Sequence, residues 1–197
     1  YTILDIYSRK IVGWEVWKEE TCELTSELIE RAMLSEKVKI KGNKKPLVLH
    51  SDNGAPIKSH TLKSKLEMLG VLSSYSRPRV SNDNPYSEAH FKTMKYRAGY
   101  PQDGFKSLEE AREWVAKFVN WYNNEHYHSG LNYLTPNSRH NGDGEEIMKN
   151  RIKVYEAARA LNPLRFKKGI RNWSVPDKVA LNPTDEVKEK IKNKTIL

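Results

Sequence analysis

LVLHSDNG, at residues 47–54, is the stretch of sequence that decides the fold of this chain. It begins with a short and largely apolar run, which is typical of a β-strand buried on both faces. Asp52 comes just after that run, so its carboxylate is expected to emerge at the end of a buried strand. Asn53 and Gly54 are expected to shape the turn that follows the strand.

A second acid, Glu88, lies in DNPYSE at residues 83–88 and is expected in the first turn of a helix. Asp83 or Asn84 can cap that helix, and the proline after them suits its first position. Thirty-five residues separate Asp52 from Glu88. Acids that end a strand and open a helix are the pattern expected where oxygen ligands converge on Mg²⁺. The pattern favours phosphoryl transfer on nucleic acid.

Hydrophobic periodicity and turn signals predict the remaining elements. Two β-prone runs around a polar turn, at residues 3–7 and 11–17, indicate an antiparallel hairpin. Further strands are predicted at 47–50, 71–75, 171–175 and 178–181, and helices at 22–37, 59–70, 84–98, 107–122 and 145–161. Basic or polar loops are predicted at 39–45 and 76–82, and a short helix or a disordered tail from residue 184.

Composition narrows the class of protein. With 197 residues the chain can bury its own core, and a single cysteine, Cys22, excludes an internal disulfide. A net charge of +9, from 34 basic and 25 acidic residues, favours a polyanionic partner. No apolar run is long enough to cross a bilayer, so a soluble, intracellular protein is expected. The chain opens on Tyr1 in an apolar run, which indicates a fragment of a longer protein.

Four motifs in order resemble the catalytic core of bacterial insertion-sequence transposases and retroviral integrases. The motifs are IYSRKIVGW at 6–14, HSDNG at 50–54, DNPYSE at 83–88, and FVNWYN at 118–123 with LTP at 134–136. The resemblance covers residues 1–136. It implies an α/β, ribonuclease H-like fold, in which a mixed five-stranded sheet is flanked by helices. A small basic extension is expected at the C-terminus.

The same resemblance implies an Asp, Asp, Glu triad that holds Mg²⁺ or Mn²⁺. Asp52 and Glu88 match the second and third acids of the triad and are the predicted catalytic residues and metal ligands. The first acid of the family lies before the segment that Tyr1 begins, and the context of Asp5, the nearest acid, matches the second strand of the family. Asp5 is either a turn-stabilising or Arg-paired acid, or a substitute for the missing first acid of the triad. We therefore predict that the fragment binds divalent metal weakly and is inactive alone.

Basic residues near the two acids are candidate DNA contacts. Lys92 and Lys95 lie four and seven positions after Glu88 and share one helical face with it. Lysines in equivalent positions of the family contact DNA, and the alternative is a solvated helix face. Arg77 and Arg79 lie in the loop before Glu88, where they either bind DNA phosphates or solvate the loop. The basic and aromatic residues at 165–173 suit either DNA contact or packing on the core.

Three segments are predicted: a catalytic core at 1–140 without its first strand, a helical extension at 141–162, and a basic segment at 163–197. The predicted function is DNA strand cleavage and strand transfer in transposition. The expected partners are transposon-end and target DNA and further copies of the chain, with neither a membrane nor a small-molecule cofactor. The expected location is the bacterial cytoplasm, on the nucleoid when DNA is bound. The alternative is a non-catalytic DNA-binding or dimerisation module of a degenerate element.

Overall fold

The structure, a computed structural model, describes residues 1–39, 46–54, 56–80 and 83–183. The chain divides into two compact units, one formed by residues 1–5 and 11–119 and the other by residues 6–10 and 120 onward. The segment boundaries at 140 and 162 stay predictions. Residues 40–45 of the loop predicted at 39–45, residues 81 and 82 of the loop predicted at 76–82, and the tail predicted from 184 lie outside the described residues.

The first unit contains two pairs of strands. Strands β1 (Thr2–Leu4) and β2 (Ile11–Trp14) pair antiparallel as predicted, with a register shift between Ile3 and Leu4. Strands β3 (Leu47–Ser51) and β4 (Val71–Tyr75) pair in parallel. The α/β class is thereby confirmed, with both parallel and antiparallel pairing. In the described residues the strands form two separate two-stranded sheets, whereas the resemblance implied one sheet of five.

Strand β3 is less buried than its apolar run predicted. Leu47 and Val48 are 44% and 54% exposed, and Leu72 on the neighbouring strand is 53% exposed. Leu49 instead packs against the buried core of the unit. The expectation of burial on both faces is wrong for this run, because β4 is the single strand that pairs with β3 in the described part of the chain.

Among the described residues, the five predicted helices begin and end close to their predicted bounds, and the short helix at Pro136–His140 was not predicted. The helices are α1 (Cys22–Ser35), α2 (His60–Met68), α3 (Pro85–Lys95), α4 (Leu108–Asn124), α5 (Pro136–His140) and α6 (Gly144–Leu161). The Oγ1 of Thr21 accepts a hydrogen bond from the Leu24 amide at 3.2 Å, and Ser59 caps α2 in the same way. These caps satisfy amides that have no partner inside the helix. Short 3₁₀ turns lie at Pro56–Lys58, Ser129–Leu131 and Pro163–Phe166.

One hydrophobic core cluster of the first unit is formed by α1, α2 and β4. Its buried members are Ile29, Met33, Leu62, Leu66 and Val71. Helix α1 also packs closely on the hairpin, since a Cβ added to Gly13 would lie 3.0 Å from the Cβ of Ala32. A glycine at that position lets the helix approach the strand. On the β3–β4 pair, Leu49 packs against this core, whereas Asp52, directly after β3, is exposed.

The second unit has its own core of Leu131, Leu134, Met148 and Trp173. The strands predicted at 171–175 and 178–181 are wrong, because the backbone there forms no ladder. The carbonyl of Ser174 instead accepts a hydrogen bond from the Asn132 side chain at 2.6 Å. The Arg171 guanidinium lies over the ring of Trp173, 5.2 Å from its centroid, so this part of the basic segment packs on the core.

No helix in the described ranges is both long and apolar enough to span a bilayer.

Candidate active site

Asp52 lies immediately after β3, at the carboxyl end of the parallel pair, and its side chain is exposed. Its Oδ1 accepts a hydrogen bond from the Gly54 amide at 3.0 Å, which closes a tight turn around the acid. The Asn53 side chain donates to the carbonyl of Ser76 at 2.8 Å and ties that turn to the end of β4. The turn-shaping role predicted for these residues agrees with this geometry. The outer face of the carboxylate is left open to the solvent.

Glu88 lies in the first turn of α3 and is also exposed. Asn84 occupies the N-cap position and Pro85 the first helical position, as predicted, but the Asn84 side chain makes no capping hydrogen bond. The amide of Glu88 donates to the Asn84 carbonyl at 3.2 Å, which closes the first turn. The proline sets the start of the helix, and Glu88 follows on its outer side.

A buried acid, Asp83, joins the start of α3 to the preceding loop. Its carboxylate accepts hydrogen bonds from Arg77 through Nε at 2.9 Å, Nη2 at 2.8 Å and the backbone amide at 2.7 Å. These hydrogen bonds from Arg77 lower the pKa of Asp83 to about 2. We call this arrangement the Asp83 clasp. It was missed in the sequence, where Asp83 was considered as a helix cap.

His50 ties the clasp to the strands. Its Nδ1 lies 3.0 Å from the hydroxyl of Ser74 on β4, and its Nε2 lies 3.0 Å from the carbonyl oxygen of Asp83. One imidazole thus connects β3, β4 and the residue that precedes the α3 cap. The position of Glu88 relative to the strand that presents Asp52 follows from these contacts.

Asp52 and Glu88 line the same cleft, whose volume is about 820 Å³. Neither carboxylate forms a salt bridge within the part of the chain that the structure describes. Asp5 is not among the described residues that line this cleft. The fold therefore places the two acids predicted from sequence on one cleft, where both are accessible to a ligand.

The donor set fits a hard cation in its chemistry, because two exposed carboxylates offer oxygen ligands of the kind that Mg²⁺ prefers. Among the described residues, however, no three histidine, cysteine, aspartate or glutamate side chains form a group that could hold a metal. The neighbouring histidines His126 and His128 are a weaker alternative metal site: their ring centroids lie 5.7 Å apart, and the Nδ1 of His128 already accepts a hydrogen bond from the Gly130 amide. The cleft acids are the better candidate ligands.

The four candidate DNA contacts line the cleft as well, namely Arg77, Arg79, Lys92 and Lys95. Both lysines and both arginines have exposed side chains. Arg77 differs from the others because its guanidinium is held by Asp83, so it braces the loop. The roles of all four in DNA binding stay predictions.

Two aromatic residues of the cleft were missed in the sequence. Phe91 and Tyr96 line the cleft beside the lysines, and they are 41% and 82% exposed. The signal was their spacing, since they lie three and eight positions after Glu88 and therefore on its helical face. Aromatic residues at helical spacing are usually part of the core, so the sequence alone does not predict that these two are exposed.

Comparison with known proteins gives two models of the integrase core domain, which match residues 1–81 and 69–136. The transposase for insertion sequence element IS904 from Lactococcus lactis subsp. lactis (strain IL1403) is 31% identical over 137 residues. That match covers 68% of this chain and 51% of the transposase. Transposase InsF for insertion sequence IS3A from Escherichia coli (strain K12) is 24% identical over 135 residues, covering 68% of this chain and 45% of InsF.

The chain spans about half the length of the curated relatives it matches. Among solved structures, the catalytic core domain of BIV integrase matches with a TM-score of 0.42 and 21% identity, over 63% of this chain and 73% of that one. The resemblance predicted from the four motifs is confirmed by the two domain models, which together run through residues 1–136.

Proposed function

This chain belongs to the integrase core domain family, and from that premise we propose that it is the catalytic part of a DNA transposase. The full-length protein would cleave DNA strands at the ends of a mobile element and transfer them to target DNA. The observation that carries the proposal is the single cleft that Asp52, Glu88 and exposed basic side chains all line. That arrangement suits a polyanionic substrate whose reacting phosphate needs charge neutralisation.

Asp52 and Glu88 would hold Mg²⁺ or Mn²⁺, as the family resemblance implies. A bound metal ion supplies charge neutralisation at the reacting phosphate and activates water or a DNA 3′-hydroxyl. The chain's own contribution is positional: the turn at Gly54 orients Asp52, and the Asp83 clasp with His50 sets the helix that carries Glu88. Correct placement of reacting groups accounts for a large part of such catalysis.

Lys92, Lys95 and Arg79 would bind the phosphates that flank the reacting one. Their cationic groups gain affinity by releasing counterions from DNA. Lys92→Gln and Lys95→Gln should each lower the slope of log affinity against log salt by about 1. Lys117→Gln, an exposed lysine on α4 outside the cleft lining, serves as the matched control. A slope that is unchanged in both cleft variants would contradict the DNA-contact role.

The decisive experiment measures metal-dependent nicking of a labelled element-end duplex by the full-length transposase. Asp52→Asn and Glu88→Gln should each lower the rate by about a hundredfold or more, since each removes a metal ligand. Asp103→Asn and Glu67→Gln, which change exposed acids outside the cleft lining, should retain the parental rate. Equal rates in all four variants would favour the non-catalytic DNA-binding or dimerisation module.

The 197-residue chain alone should bind Mn²⁺ weakly and turn over little, because two cleft carboxylates leave the coordination of the ion incomplete. Isothermal titration with Mn²⁺ and the same nicking assay test this prediction. Full turnover by the chain alone would contradict it.

We further propose that the transposase acts as a homo-oligomer on nucleoid DNA in the bacterial cytoplasm. The mass of the protein–DNA complex in light scattering tests the oligomer, and a monomer on DNA would contradict it.

A further inference from the structure

The outer face of α3 carries aromatic residues that the metal and phosphate roles do not use. Glu88, Phe91, Lys92, Lys95 and Tyr96 are spaced at helical intervals, and all five line the cleft. Tyr96 is the residue that caps the C-terminal end of the helix. One helical face therefore presents an acid at its start, two cations along its length, and two aromatic rings among them.

The two rings are far more exposed than packing would require. Phe91 is 41% exposed and Tyr96 is 82% exposed, whereas His90 on the opposite side of the helix is 2% exposed. His90 takes the packing role, since its ring lies 5.8 Å from that of Phe118 on α4. The Phe91 ring also packs against that of His90, with centroids 5.2 Å apart, so the exposed part of Phe91 and most of Tyr96 are available to a ligand. We call these two residues the aromatic ledge.

The charge of the cleft identifies the class of ligand. Lys92, Lys95 and Arg79 surround the ledge with positive charge. Phosphates pair with cations, and the face of a nucleobase stacks on an aromatic ring in a sequence-tolerant way. In an intact duplex the base faces are already stacked on their neighbours, so a ring can stack only on a base that has left the helix.

Resting on the proposed function, we propose that the aromatic ledge stacks an unpaired base next to the strand that reaches Asp52 and Glu88. The preferred substrate is therefore a DNA end whose terminal bases are frayed or single-stranded, not a fully paired duplex. The lysines hold the backbone of that strand and the ledge holds its bases. This arrangement separates affinity for DNA in general, carried by charge, from preference for an open end, carried by the ledge.

Fluorescence anisotropy with the 197-residue chain tests this. One labelled duplex is blunt, and the second is identical except for a short unpaired 3′ tail that begins with 2-aminopurine. We expect tighter binding of the tailed duplex and quenching of the 2-aminopurine, which reports stacking. Tyr96→Ala should weaken binding of the tailed duplex by about fivefold or more and leave binding of the blunt duplex nearly unchanged.

Phe91→Ala should have the same selective effect, and Tyr127→Ala, which removes a 64% exposed tyrosine outside the cleft lining, should have none. Tyr96 is so exposed that its variant should fold, which circular dichroism verifies. Equal affinities for the two duplexes, or a tail preference that survives loss of both rings, would overturn the ledge. A tail of RNA bound as well as one of DNA would support stacking and broaden the substrate to either nucleic acid.

Failure of the catalytic proposal gives a different result. If the tail preference depends on Tyr96 but Asp52→Asn does not slow nicking by the full-length transposase, the ledge stands and the metal-ligand assignment falls. If the tail preference is absent but nicking still depends on Asp52 and Glu88, the ledge alone is wrong.

Discussion

Acid should destabilise the second unit through His128, a half-buried histidine at the start of the Ser129–Leu131 turn. Its Nδ1 accepts a hydrogen bond from the Gly130 amide at 3.1 Å, which requires a neutral ring. Burial lowers the pKa of His128 to about 4, and the neighbouring charges of His126 and Arg9 act in the same direction. The backbone carbonyl of His128 also accepts from Leu131 at 2.9 Å, so the histidine anchors a segment that supplies core residues.

Neutral His128 stabilises the folded chain at neutral pH and loses that effect in acid, because its pKa is lower in the folded chain than in the unfolded one. The unfolded chain takes up the proton near the ordinary pKa of 6.5, whereas the folded chain resists it until about pH 4. The stabilising effect is therefore complete above pH 6.5 and decreases as the pH falls toward 4. A gap of this size corresponds to about 3 kcal/mol for a buried group. Because solvent screens the half-exposed ring, we expect a loss of about 1–2 kcal/mol in the free energy of unfolding.

Urea unfolding followed by tryptophan fluorescence, at about pH 7.5 and about pH 4.5, measures this loss. His128→Asn keeps a side-chain oxygen that can accept from Gly130 but removes the titration. The difference in unfolding free energy between the two pH values should shrink by about 1–2 kcal/mol in that variant. His60→Gln, which replaces an exposed histidine on α2, should leave it unchanged. If His128→Asn loses as much stability in acid as the parent chain, the reasoning is wrong.

Two further predictions concern the first unit. Leu62→Ala should lower the free energy of unfolding by about 2–5 kcal/mol, because this side chain of α2 is completely buried in the cluster with α1 and β4. A loss of less than about 0.5 kcal/mol in urea unfolding would contradict its core role. Asp83→Asn should release Arg77. Hydrogen exchange should then become faster at the amide of residue 77 and in the first turn of α3, and an unchanged exchange pattern would refute the clasp. Since the pKa of Asp83 is held near 2, the stability it confers is present above about pH 4 and is lost as the pH falls toward 2.

The parts of the fold that could be predicted from sequence have local signals. The strand before Asp52 and the helix that carries Glu88 follow from an apolar run and from an Asn-Pro start, and the structure places both acids on one cleft. The caps at Thr21 and Ser59 have a local signal of the same kind, because the capping residue lies next to the helix that it starts. Strand ends, helix starts and helix caps are determined by neighbouring residues, so they can be predicted from a single sequence.

The parts that were mispredicted depend on residues far apart in the chain. Valine and tryptophan at 171–175 have high β-propensity, but Asn132, about forty residues earlier, takes the carbonyl that a strand ladder would use. The exposure of Leu47 and Val48 depends on which elements pair with β3, and an apolar run does not reveal that. The clasp role of Asp83 was hidden for a related reason, because a helix cap explains an acid before Asn-Pro equally well.

The β3–β4 pair has a consequence for handling the protein. Val48 and Leu72 are register partners on adjacent strands, and both face water together with Leu47. In the described ranges no further strand pairs with β3 or β4, and exposed apolar side chains on such a pair favour stacking or pairing with a second molecule, as in the early steps of aggregation. Concentrated solutions of this chain should therefore aggregate over time, and Val48→Lys should reduce the turbidity that reports this aggregation.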